Sequence, residues 1–148
     1  MRVAPFALII WSFAVPLAAR ETVGTFATWA AFCDGPNKCF AISEPAERKT
    51  HPFLSVAVIG ATLQVRAHLG RPARAAKLVI GDAEFGLAVS GQEAIANSST
   101  SRRIVAAMRE GESATLVGTS DRGGRFRHHY LLGGAPSAID AATVASLR

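Results

Sequence analysis

Between residues 62 and 69 the chain alternates strictly: Leu63, Val65, Ala67 and Leu69 are apolar, and Thr62, Gln64, Arg66 and His68 between them are polar. A period of two places one set on each face of an extended chain, so this segment predicts a half-buried β-strand. Phe85, Leu87 and Val89 repeat the pattern against Glu84, Gly86, Ala88 and Ser90. The alternation assigns Leu63, Val65, Phe85, Leu87 and Val89 to the core, and Arg66, His68 and Glu84 to solvent. Gly81, Asp82 and Ala83 separate the second run from an apolar strand at Lys77–Ile80 and predict a hairpin. Pro52–Ile59 is a more continuously apolar strand, closed by Gly60. Further strands are predicted at Phe26–Phe32, Cys39–Ser43, Ala114–Thr119 and Arg125–Leu132. The last two are joined by the turn-forming run Ser120–Gly124.

Two segments carry helical spacing instead. Ile104, Val105, Ala107 and Met108 form one apolar side; Ser98–Ser101 offers N-caps, Gly111 a stop, and Arg109 suits the last turn. Near the end, Ser137 and Asp140 make an S-x-x-D capping pattern before Ala141–Leu147. Helices this short persist only by packing on a sheet. The predicted fold is therefore all-β: an antiparallel sandwich or barrel of about eight strands with two short helices. Loops fall at 44–51, 70–76 and 91–100, none long enough for a domain linker, and there is no internal repeat. Residues 20–148 read as one domain, a normal size for one core.

The first nineteen residues change the picture. Met1 and Arg2 give a positive start, Val3–Ala19 carries no charge, and Arg20 and Glu21 follow. A basic start, an apolar middle and small residues at the end predict a secretory signal peptide over 1–19, cleaved after Ala19. The apolar run is short for a membrane span and contains Pro5 and Pro16, so no stable span is expected after its removal. The mature chain is thus expected in the periplasm or outside the cell. There Cys33 and Cys39, the only cysteines, predict a disulfide around the turn-forming Asp34–Lys38. A zinc site would need more ligands, and a redox pair a closer spacing.

Composition adds little chemistry. The chain of 148 residues is 49% hydrophobic and 18% charged, with a formal net charge of +5. That is too sparse a positive charge for a dedicated nucleic-acid binder. The nucleophile-elbow, zinc-protease, phosphate-loop and dinucleotide motifs are missing. His128 and His129 are adjacent, so a strand would point them to opposite faces. His51 and His68 have no carboxylate beside them in sequence to orient a base. Glu44 with Glu47, and Glu110 with Glu112, read as solvated loop acids. No catalytic residue, metal site or cofactor is predicted.

One stretch stands apart. In Gly124–Tyr130 the alternation places Arg125, Arg127 and His129 on one strand face, with Phe126, His128 and Tyr130 on the other. Guanidinium groups beside an imidazole can hold phosphate or carboxylate by charge-assisted hydrogen bonds. Arg71, Arg74 and Lys77 would add to that field if their segment lies nearby. An ordinary solvent face, basic enough to discourage edge pairing, is the alternative.

The order of these features resembles the invasion-associated locus B family of exported alphaproteobacterial proteins. After a signal peptide come Trp29, Phe32, Cys33 and Cys39, then the Leu69–Pro72 turn, the Leu78–Ala83 segment, the helix-plus-glycine Ile104–Gly111 and the closing Tyr130–Ile139. The resemblance spans about residues 26–142 and rests on order, since each motif alone is weak. The sequence departs from the family in having no second cysteine pair within 85–101, and Gly134 where the family has Phe. The resemblance implies an exported, β-rich, non-enzymatic envelope protein, with no catalytic residues to transfer.

The expected function is accordingly a binding or interaction protein of the cell envelope, its partner an envelope or host-surface component, an anionic one among the candidates, and not nucleic acid. Two rivals stand beside it. One is a periplasmic protease or lysozyme inhibitor that inserts Glu44–Lys49 into an enzyme cleft. The other is a hydrolase without a recognisable motif, which a pocket joining a His to a carboxylate would support.

Overall fold

The computed structural model describes residues 20–46 and 50–148, so the predicted signal peptide lies outside the described residues. Among the described residues ten strands form: β1 Glu21–Phe26, β2 Trp29–Cys33, β3 Lys38–Ser43, β4 Phe53–Ile59, β5 Thr62–His68, β6 Ala73–Ile80, β7 Ala83–Ser90, β8 Glu93–Ile95, β9 Ser113–Ser120 and β10 Arg125–Leu131. All pairings are antiparallel, in the order β1-β2-β3-β4-β5-β8-β7-β6-β9-β10. Helix α1 spans Ser98–Glu110 and α2 Ala135–Ser146. The fold is all-β with two helices and one disulfide, as the pattern predicts, and the sheet is not closed into a barrel.

Two strands beyond the predicted eight have separate causes. Phe26–Phe32 is not one strand. The chain turns at Ala27, a non-glycine residue at φ +52°, and Phe26 pairs back on Trp29. No Gly, Asn or Asp marks that turn, so the pattern of residues conceals it. Strand β8 forms inside a predicted loop because both its neighbours hold it: Ile95 pairs with Arg66 on β5 and with Ala88 on β7.

The hydrophobic alternation sets the register. Val65 and Phe85 are buried, while Leu63, Leu87 and Val89 pack half-buried at the margin of the core. Arg66 and Glu84 face solvent as predicted. His68 does not: it is half-buried, stacked on Phe53 with ring centroids 5.2 Å apart. Across β9 and β10, the Phe126 ring lies over Gly118, its cross-strand partner, where a Cβ would come within 2.2 Å of the ring. The bend of the sheet brings its ends together without a ladder. The Trp29 indole Nε1–H donates to the Leu131 carbonyl at 2.9 Å, and the Ala46 amide donates to that of His129 at 3.3 Å.

The helices cover the sheet, α1 against β5–β7 and α2 against β1–β4. Their caps differ from the sequence reading. Asn97 caps α1, its Oδ1 accepting the Thr100 amide at 2.8 Å. Ser101 is buried instead, accepting the Val65 amide at 3.0 Å and donating to the Ala96 carbonyl. Helix α2 begins at Ala135 after Gly134, ahead of the predicted Ser137. Asp140 caps nothing. It takes two hydrogen bonds from Arg109 of α1, at 2.6 and 3.3 Å, which hold its carboxyl below the usual carboxylate range. Both groups are well exposed, so this clasp between the helices contributes less than about 1 kcal/mol.

Cys33 and Cys39 face each other across the β2–β3 hairpin and are bridged. The bridge closes a short loop, so replacing both residues with Ser should lower stability by only about 2 kcal/mol. Intact mass under non-reducing conditions should show the protein two hydrogens light with no alkylatable thiol. The same spectrum reads the first residue, expected to be Arg20.

Candidate anion-binding face

Strand β10 alternates strictly, with Phe126, His128 and Tyr130 buried and Arg125, Arg127 and His129 exposed. The buried set fixes the exposed one. Phe126 fills the space over Gly118, and His128 Nε2 lies 3.2 Å from the Leu69 carbonyl. Tyr130 is wholly enclosed, and burial pushes its hydroxyl well above the usual range. A slip of one residue would bury two guanidinium groups, so the basic face is as firmly specified as the core beneath it.

The register shows what lies beside that face. Arg125, Arg127 and His129 oppose Thr119, Val117 and Thr115 of β9, and beyond these stand Ala75, Lys77 and Val79 of β6. Arg127, Val117 and Lys77 thus form one row across three strands. Adjacent strands are about 4.8 Å apart, which sets Lys77 about 10 Å from Arg127, with Arg125 roughly 7 Å along β10. The surface between them is a concavity of about 610 Å³, floored by small and β-branched residues and rimmed by Arg125, Arg127, Lys77 and Glu84. Lys77 is bonded to Glu84 at 2.9 Å. Neither arginine has a carboxylate within ion-pair distance among the described residues. His129 shares a 3.3 Å contact with the Thr115 hydroxyl.

Of the three further cations that the sequence offers, only Lys77 joins this surface. Arg71 lies over the Phe126 ring, 5.0 Å from its centroid, and Phe126 points to the opposite side of β10. Arg74 stands at the irregularity where β6 shifts register between Ala73 and Ala75. Arginine and lysine side chains are long enough to converge on one phosphate from these positions or to bind neighbouring ones separately.

The structure also supplies a pair that the sequence does not reveal. His68 Nδ1 lies 2.6 Å from Glu93 Oε1, joining β5 to β8. The two are 25 residues apart, and Glu93 falls in the predicted 91–100 loop, so no spacing rule could connect them. Glu93 Oε2 is buried without a hydrogen-bond partner among the described residues. The pair joins the two middle strands of the sheet, away from the β10 edge. Among the described residues, no three His, Cys, Asp or Glu groups are arranged to hold a metal ion, and no helix is long and apolar enough to cross a membrane. The proposed inhibitory loop begins pinned, with Pro45 buried and the Ala46 amide on His129; residues 47–49 lie outside the described residues.

No family model and no curated protein matches the chain. Among solved structures, the chain is similar to the crystal structure of invasion-associated protein B from Bartonella henselae, at a TM-score of 0.65 and 17% identity, over 86% of this chain and 99% of that one. At that identity the likeness shows a shared fold, the same fold that the order of motifs implies.

Proposed function

We propose that this is an exported, non-catalytic binding protein of the cell envelope, distantly related to the invasion-associated locus B proteins. In this reading it holds anionic groups on the outer face of β10, β9 and β6. The fold likeness, the predicted signal peptide and the bridged cysteines support the address. One observation carries the binding reading: two arginines without carboxylate partners among the described residues share a concave surface with Lys77. Phosphorylated envelope glycolipid is the partner class that this charge and address favour.

The test is binding to lipopolysaccharide at low and high salt, comparing the wild type with an Arg125→Ala/Arg127→Ala variant. Wild-type binding should weaken as salt rises, because exposed charges are screened over about 8 Å at physiological ionic strength. The variant should lose most binding at low salt yet keep its melting temperature, since both side chains point away from Phe126 and Tyr130. Equal, salt-insensitive binding by the two proteins would return β10 to an ordinary solvent face.

A further inference from the structure

The outer side of β10 does not end with its cations. The alternation that turns Arg125, Arg127 and His129 outward also turns out Leu131, whose side chain is 52% exposed. Leu131 lines a groove of about 510 Å³, formed where the end of β10 meets the start of β2. Ala30 of β2 and Ile42 of β3, which are cross-strand partners, line it too, with Thr25 and Thr28 from the end of β1 and the turn after it. The lining is mostly apolar. Leu131 stands about 7 Å along β10 from His129 and about 14 Å from Arg127. A basic face and an apolar groove therefore follow one another along the outer side of a single strand.

The groove is within the size range of small-molecule sites. An extended peptide added at this end of β10 would find main-chain partners already taken. The His129 carbonyl accepts from the Ala46 amide, and the Leu131 carbonyl from the Trp29 indole and the Thr28 hydroxyl. A second copy on a twofold axis would set the hollow against itself, and two hollows do not fill one another. A hydrocarbon chain meets neither difficulty. It needs no hydrogen bonds, and each methylene buried strengthens binding about fourfold. Among the described residues, the one acidic side chain lining the groove is Glu44. Its carboxylate repels an anion from the groove itself, which leaves the charged end of an amphiphile on the arginines and its uncharged chain here.

We propose that this groove takes an acyl chain of the anionic lipid whose phosphate lies on Arg125 and Arg127, so that one lipid molecule is held along β10 by headgroup and chain together. The inference rests on the anion-binding reading of the β10 face and adds a second site of different chemistry. The arginines attract the headgroup and fix its place, with a strength that falls as salt rises. The groove distinguishes an acylated ligand from a saccharide that carries the same phosphates, and burial of apolar surface there is not screened by salt. A chain seated in the groove has left its bilayer or micelle, so the protein binds the lipid as a single molecule.

The experiment uses the protein isolated from its own cells. The probes are hexanoyl and lauroyl lysophosphatidic acid, which share one headgroup and differ in chain length, both kept below their micelle-forming concentrations. Calorimetry at low salt measures the affinity of each. The wild type should bind the lauroyl probe more than about a hundredfold tighter than the hexanoyl one, the gain from about four more buried methylenes. A Leu131→Ser/Ile42→Ser variant should cut that ratio to less than about tenfold. Ile42 is half-buried, so Leu131→Asn, changed at an exposed position, is measured beside it and should lower the ratio at least about fivefold with no change in melting temperature. The Arg125→Ala/Arg127→Ala variant should weaken both probes by similar factors and keep the ratio. Equal wild-type affinity for the two probes, or a ratio that neither groove variant lowers, would overturn the groove and leave the anion-binding reading standing, provided that the arginine variant loses affinity. An arginine variant that binds both probes like the wild type would overturn that reading and this proposal with it. A concentration-dependent dimer that Leu131→Asn abolishes would also overturn the proposal, by assigning the groove to a second copy.

Discussion

Replacing Trp29 with alanine should destabilise the protein by about 3–5 kcal/mol, the range for deleting a large buried aromatic side chain. Trp29 is fully buried at the start of β2, and its indole makes the shortest tie from that end of the sheet to the other, to the Leu131 carbonyl at 2.9 Å, which also accepts from the Thr28 hydroxyl at 3.4 Å. The substitution therefore opens a cavity and also removes the shorter of that carbonyl's two side-chain hydrogen bonds. Trp29→Phe separates the two losses. It keeps most of the ring volume but no N–H, and should cost about 1–3 kcal/mol. Denaturant unfolding of the oxidised proteins, followed by far-ultraviolet circular dichroism, measures both. A Trp29→Ala protein as stable as the wild type would mean that the two ends of the sheet do not meet as described. Since total stability for a domain is only about 5–15 kcal/mol, this one change removes a large fraction of it.

Gly134→Ala should have an effect of similar size for a different reason. Gly134 joins β10 to α2 at φ +88°, a backbone region that costs an alanine about 1–2 kcal/mol. A Cβ there would also fall 2.0 Å from the carbonyl oxygen of Phe26 and 3.2 Å from the Cβ of Ala27. Those are rigid atoms at the end of β1, so the connection to α2 must shift, adding about 1–3 kcal/mol of overpacking. The sum is about 2–5 kcal/mol. Gly35→Ala is the control. Gly35 has a similar φ of +83° but nothing within 4 Å of its would-be Cβ, so it should show the conformational cost alone. Near-equal losses at the two sites would show that α2 does not approach β1 this closely.

The inward and outward sets of each strand followed from residue spacing wherever one face was buried and the other wet. Thr62–Leu69, Glu84–Ser90 and Arg125–Tyr130 all show it, because a period of two is an intrinsic property of extended backbone. The exposed set on β10 was legible for that reason, as were the disulfide, whose cysteines flank a local turn, and the body of α1. Other features had no local signal. The Ala27 turn is made by a residue type that rarely takes positive φ, and β8 exists only because β5 and β7 hold it from both sides. His68 looked like a solvent residue until Glu93, distant in sequence, closed on it, and Asp140 looked like a cap until Arg109 arrived from another helix.

By itself, then, the sequence determined the faces: which side chains each strand turns inward, which it turns out, and where the chain reverses at glycine-bearing turns. Those choices depend on backbone geometry and water alone, over a few residues. Only the tertiary structure decided which outward faces lie side by side. It placed Lys77 beside Arg127, sent Arg71 to the other side of β10, and stacked Phe32 on Phe40 between Arg20 and Lys38. Strand order is set by burying all the inner faces in one core at once, and that sum over the whole chain is not written in any segment of it.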